Sequence, residues 1–127
     1  MPEAYILSSA SSGRGVESAP LFARRLAHQL TQACKPVAVL LFGSWAKGTA
    51  NLHSDVDLVV VLSQRPTPAV RAALCDAVLT VPLKVDLLLW TSLDVAAAHD
   101  DPHGFAGSVL SRYVLLYGAL PSVELLC

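Results

Sequence analysis

Two aspartates, Asp55 and Asp57, lead into an apolar run, and a glycine-serine turn, Gly43-Ser44, stands shortly before them. In an extended strand, side chains at i and i+2 share a face, with Cα atoms roughly 6.5 Å apart. Carboxylates held side by side repel each other. The pairing makes chemical sense when a cation lies between them, and a hard ion such as Mg²⁺ prefers oxygen ligands. Val56, Leu58, Val60 and Leu62 alternate with the acids and point to a core. Asp86 is a third candidate, because it interrupts the apolar stretch Leu83-Lys84-Val85-Asp86-Leu87-Leu88-Leu89-Trp90. Burying an unpaired carboxylate in such a stretch is costly. If this stretch is a strand beside the Asp55 strand, it completes a three-carboxylate cluster. The plain alternative is a strand-edge acid paired with Lys84 or an arginine.

Gly43 follows a buried strand, where glycine permits close backbone approach and unusual dihedrals. Ser44 can then offer its hydroxyl and backbone N–H to terminal phosphates at the start of a short helix. Lys47 supplies a positive charge nearby, as a phosphate contact or as a solvated surface lysine. Alone, Gly-Ser is a common turn; its meaning comes from the acids that follow. Trp45 packs under the loop or stacks on a base, with packing the preferred reading. Ser54 reads most simply as a turn residue, though its hydroxyl could steady a carboxylate. His99 and His103 with Asp100 and Asp101 could suggest a metal site, but Pro102 and Gly104 make a turn there, where polar residues are ordinary. His53 reads as a loop residue, and His28 lies on the polar side of a helix. No Gly-x-Ser-x-Gly motif and no Walker A loop is present, so neither a hydrolase nucleophile elbow nor a P-loop is indicated.

The elements that position these residues follow from periodicity. Phe22, Leu26, Leu30 and Ala33 recur at helical spacing and predict an amphipathic helix over 19–34, stopped before Pro36. Val37–Phe42 is an unbroken apolar strand covered on both faces. A helical turn over Ser44–Lys47 and a loop through His53 lead to a strand over Asp55–Leu62. Pro66 and Pro68 open a helix to about residue 79, with Val70, Leu74 and Val78 on one face. Leu83–Trp90 is the next strand. Thr91 is an N-cap for a helix over Ser92–His99, with Asp94 in its first turn. A short helix over 105–111 precedes a last strand, Tyr113–Tyr117. Residues 8–15 are small, polar and glycine-rich, and read as a flexible loop or tail. The division is therefore a flexible N-terminal segment, 1–18, and one domain, 19–127. Helices alternating with strands predict an α/β sandwich.

Composition narrows the partners. A net charge of -1 gives no basic field for nonspecific nucleic-acid binding, so a mononucleotide with metal is favoured over a polymer. Cys34, Cys75 and Cys127 lack CxxC spacing and read as reduced thiols, not as a disulfide set or zinc site. No apolar run reaches membrane-spanning length and no secretory signal is evident, so the cytoplasm is expected. An apolar share of 54% is high for a soluble monomer and suggests that a partner covers some surface.

Gly43-Ser44-Trp45-Ala46-Lys47-Gly48, with Ser54-Asp55-Val56-Asp57-Leu58, Asp86 and the closing Tyr113-Val114-Leu115-Leu116-Tyr117-Gly118, resembles the signature of the nucleotidyltransferase superfamily shared by DNA polymerase beta and the aminoglycoside nucleotidyltransferases. The small size resembles the minimal nucleotidyltransferase branch. The resemblance implies a polymerase beta palm-like fold, a mixed β-sheet with helices on one side. It implies transfer of a nucleoside monophosphate from an NTP, most simply ATP, to a hydroxyl, with pyrophosphate released. Two Mg²⁺ ions would be held by Asp55 and Asp57, joined by Asp86 at the ion that activates the acceptor. Gly43 and Ser44 would hold the β- and γ-phosphates, with Lys47 in the place where many relatives carry arginine. Larger members add a helical domain, for which this chain has no room. Many minimal members pair with a helical HEPN-domain protein, as antitoxins that add AMP to a tyrosine of the toxin. A homo- or hetero-oligomer is therefore expected. The alternatives are an aminoglycoside-type enzyme acting on a small hydroxyl compound and a non-catalytic antitoxin that masks its partner.

Overall fold

Five successive apolar residues, Ala38–Phe42, form strand β2, and all five are buried. Only a strand covered on both faces can bury such a run, and β2 sits in the middle of the sheet. The computed structural model describes residues 13–15, 19–51 and 53–120. Its elements run β1 (Gly13–Arg14), α1 (Leu21–Ala33), β2 (Ala38–Phe42), α2 (Ser44–Lys47), β3 (Val56–Leu62), α3 (Pro68–Val78), β4 (Val85–Thr91), α4 (Ser92–Asp100), α5 (Phe105–Ser111) and β5 (Tyr113–Gly118). The strand order is β1-β5-β2-β3-β4. β2 is antiparallel to β3 and β5, while β3 and β4 run parallel. Parallel neighbours need a crossover, and α3 supplies it.

The alternation along the strands divides the interior in two. Val39, Leu41, Val56, Leu58, Val60 and Leu62 face Leu26 and Leu30 of α1 and Leu74 of α3. The other parity, including Leu40, Phe42, Val59, Val61 and Trp90, faces Val95 of α4 and Val109 and Leu110 of α5. Helices therefore cover both faces of the sheet. The one-sided arrangement implied by the resemblance does not hold here, because an entirely apolar β2 leaves no face for water.

Local chemistry sets the helix ends. The Thr67 side chain accepts the Val70 N–H at 3.2 Å and starts α3. At α4, Asp94 reaches back to accept the Thr91 N–H at 2.8 Å. Gly13–Arg14 pair in parallel with Tyr113–Val114, so part of the glycine-rich stretch joins the sheet as a two-residue strand. The rest of the expected flexible segment, apart from Gly15, lies outside the described residues, as does Cys127. Cys34 and Cys75 are free thiols. Among the described residues, no helix is long and apolar enough to cross a membrane.

Candidate active site

The parallel ladder between β3 and β4 aligns Asp57 with Asp86. One step earlier the Val56 N–H donates to the Lys84 carbonyl at 2.8 Å, which brings Lys84 level with Asp55. By alternation, Asp55, Asp57, Lys84 and Asp86 share the face that bears Val59, Val61, Leu88 and Trp90. They stand at its open end, where apolar burial gives way: Asp57 is half-buried, and Asp55 and Asp86 are exposed. Phe42, the ladder partner of Asp57, packs edge-on against Phe105 with ring centroids 6.2 Å apart.

The carboxylates are close enough to perturb one another. Partial burial pushes the Asp57 carboxyl above the ordinary carboxylate range; the negative charges of Asp86 and Asp55 and a side-chain hydrogen bond with Asp86 add to this. Lys84 pulls in the opposite direction. Its Nζ lies 3.7 Å from Asp55 Oδ2. Thus Asp57 and Asp86 meet directly, while Asp55 is drawn towards the lysine. Among the described residues, no group of three or more His, Cys, Asp or Glu is placed to hold a metal ion as the side chains stand. The donor set nevertheless suits a hard divalent cation, because it is all oxygen, partly open to solvent, and repulsive unless positive charge is supplied.

Gly43 closes one side. It holds φ 73° and ψ −153°, a conformation open in practice to glycine alone, and caps α2. A Cβ there would run into Asp57 Oδ2. The turn and the second carboxylate are therefore fitted to each other, and only a glycine allows the approach. Its carbonyl accepts the Ala46 and Lys47 N–H groups at 3.1 and 3.0 Å. Ser44 begins α2, and Lys47 is exposed at its end.

Trp45 anchors this unit. Its ring meets Phe22 edge-on at 5.0 Å, and its Nε1 donates to the Ser54 carbonyl at 3.4 Å. It packs, as preferred, and ties α2 to the loop that delivers Asp55. Ser54 is a turn residue whose Oγ accepts the Asn51 N–H at 2.9 Å. His28, His53, His99 and His103 are exposed. A separate cavity of about 230 Å³ between α1 and the end of β5 is lined by Arg24, His28, Thr31 and Tyr117, and gathers none of the candidate residues.

Lys84 is the participant whose place sequence reasoning missed. It was considered as a partner for Asp86, yet it pairs with Asp55 across the ladder. The available signal was the i, i+2 spacing of Lys84 and Asp86, which puts both on the acidic face.

No curated protein sequence matches the chain. Among solved structures, a toxin–antitoxin crystallised with AMP-PNP aligns with a TM-score of 0.54 at 20% identity, covering 80% of this chain and 78% of that one. A mutant of the toxin–antitoxin MntA-HpeT aligns with a TM-score of 0.51 at 18% identity, again over 80% and 78%. At these identities the likeness shows the fold. The sequence itself matches the family described as "Polymerase beta, Nucleotidyltransferase" over residues 24–119. That span contains the glycine-serine turn and all three aspartates, and the chain belongs to the polymerase beta nucleotidyltransferase family.

Proposed function

We propose that this chain moves AMP from ATP onto a hydroxyl of a partner protein, as the antitoxin of a pair whose toxin is a helical HEPN-domain protein. The observation that carries the reading is the contact of Asp57 with Asp86 beside a turn whose φ of 73° strains any residue but glycine. The solved toxin–antitoxin structures of the same fold, one of them holding AMP-PNP, support an adenine nucleotide and a protein partner.

In this reading the acceptor oxygen bonds to the α-phosphorus, the bond from that phosphorus to the α,β-bridging oxygen breaks to release pyrophosphate, and the hydroxyl proton leaves by way of Asp86 to solvent. Gly43, the N–H groups at the start of α2 and the Ser44 hydroxyl hold the terminal phosphates, with Lys47 adding positive charge. Asp55, Asp57 and Asp86 would hold Mg²⁺, two ions in the full site. A metal held there would lower the pKa of the acceptor hydroxyl and offset phosphate charge. Asp86, at the exposed end of the cluster, takes the acceptor side. The ladder between β3 and β4 contributes by positioning. Leu93 and Phe105, 77% and 66% exposed on the acid-bearing side, offer apolar surface to a partner. A cytoplasmic setting supplies ATP.

The test is label transfer from α-phosphorus-labelled ATP with Mg²⁺ in host-cell extract, comparing wild type with Asp55→Asn/Asp57→Asn. A small protein labelled only by wild type is the expected result. No label with any NTP from well-folded protein would overturn protein adenylylation. Retained inhibition of the partner by the double variant would favour masking instead.

A further inference from the structure

We propose that Lys84 is a positioning residue that acts as a tethered counter-cation: it holds Asp55 and offsets the charge of the acidic cluster, and it yields Asp55 when a divalent ion binds. This deepens the metal-site reading of the three aspartates and rests on it.

The backbone puts Lys84 where it can do this. The Lys84 carbonyl takes the Val56 N–H at 2.8 Å, so the residue is fixed level with Asp55 one step before β4 begins. Lys84 and Asp86 then project together, beside Asp55 and Asp57 on the neighbouring strand. Four side chains occupy this corner, three negative and one positive. The ammonium is 3.7 Å from Asp55 Oδ2, and it also acts on Asp57. A lysine head is a compact point charge on a flexible stem, 71% exposed here, so it can leave without disturbing the core. An ion bound by Asp55 competes directly with that ammonium. Lys84 therefore keeps like charges tolerable on two adjacent strands and weakens the first divalent ion by the amount of the contact it surrenders.

The test uses the full chain and Mn²⁺ as the probe, with free Mn²⁺ counted by its electron paramagnetic resonance signal in the absence of nucleotide. Lys84→Met is expected to bind Mn²⁺ about two- to fivefold more tightly than wild type, the scale of an exposed ion pair. Lys84→Arg keeps the charge and is expected to bind as wild type does. In an Asp55→Asn background the gain from Lys84→Met is expected to shrink, since only the weaker action on Asp57 remains. Unchanged or weaker binding by Lys84→Met, with wild type binding normally, overturns the role of Lys84 alone. Failure of wild type to bind Mn²⁺ at millimolar concentration overturns the metal reading and this inference together. Melting curves without metal show that each variant is folded, and tighter binding through a general structural change would not be reversed by arginine.

Discussion

At the scale of single residues, the site holds like charges close together, a conflict that a bound cation would relieve. An acid whose pKa is raised on folding holds its proton more tightly folded than unfolded. For Asp57 this support for the fold is complete below the ordinary carboxylate range and is lost as pH rises through the raised value. At neutral pH the ionised carboxylate therefore weighs against the fold. Asp57→Asn removes that charge while keeping the shape. Without metal it is expected to melt no lower than wild type at neutral pH, with the difference shrinking towards about pH 4. Label transfer should fall at least about a hundredfold. Melts at the two pH values separate the two effects, and a variant clearly less stable at neutral pH would contradict this account. Gly43 offers a steric counterpart. Gly43→Ala meets both the φ of 73° and the Asp57 carboxylate, whereas Gly48→Ala meets φ 79° in open space. The first is expected to cost about 1–3 kcal/mol and the second about 1 kcal/mol in urea denaturation, with transfer lost only in the first.

At the scale of elements, periodicity located nearly every helix and strand, because apolar spacing reports directly on which side a segment buries. Leu26 and Leu30 on α1, and Leu74 on α3, are buried as their spacing requires. Leu74 is 1% exposed, while Leu79, equally apolar but at the C-cap of the helix, is 79% exposed. Leu74→Ala is therefore expected to cost about 2–4 kcal/mol, against less than about 0.5 kcal/mol for Leu79→Ala, read from denaturation midpoints at unchanged slope. Composition could not show that α4 and α5 cover the second face. That outcome depends on where the chain turns after Trp90. Nor could it reveal β1, since Gly13 and Arg14 have no strand propensity and owe their pairing to the edge that β5 presents.

At the scale of the whole molecule, the candidate residues were visible in the sequence while their partnerships were not. Asp55 and Asp57 share a face by local geometry alone, and Asp86 stood out as a charge among leucines. Which acid meets which, and that Lys84 answers Asp55, follows from the register across β3 and β4. That register is a tertiary quantity, fixed only when β4 pairs with β3 after the α3 crossover. Exposed apolar residues are likewise divided between the helices of both faces, Leu21 and Leu79 on one, Leu93 and Phe105 on the other. The strand order has a further consequence. Among the described residues, β4 is hydrogen-bonded only to β3, so Asp86 and Lys84 ride on the rim of the sheet, whereas Asp57 is carried by a strand secured on both sides. Rim strands open locally at less free energy than global unfolding requires. Half of the acidic corner can thus come apart while the interior around β2 stays closed, and the protein can stop working well before it stops being folded.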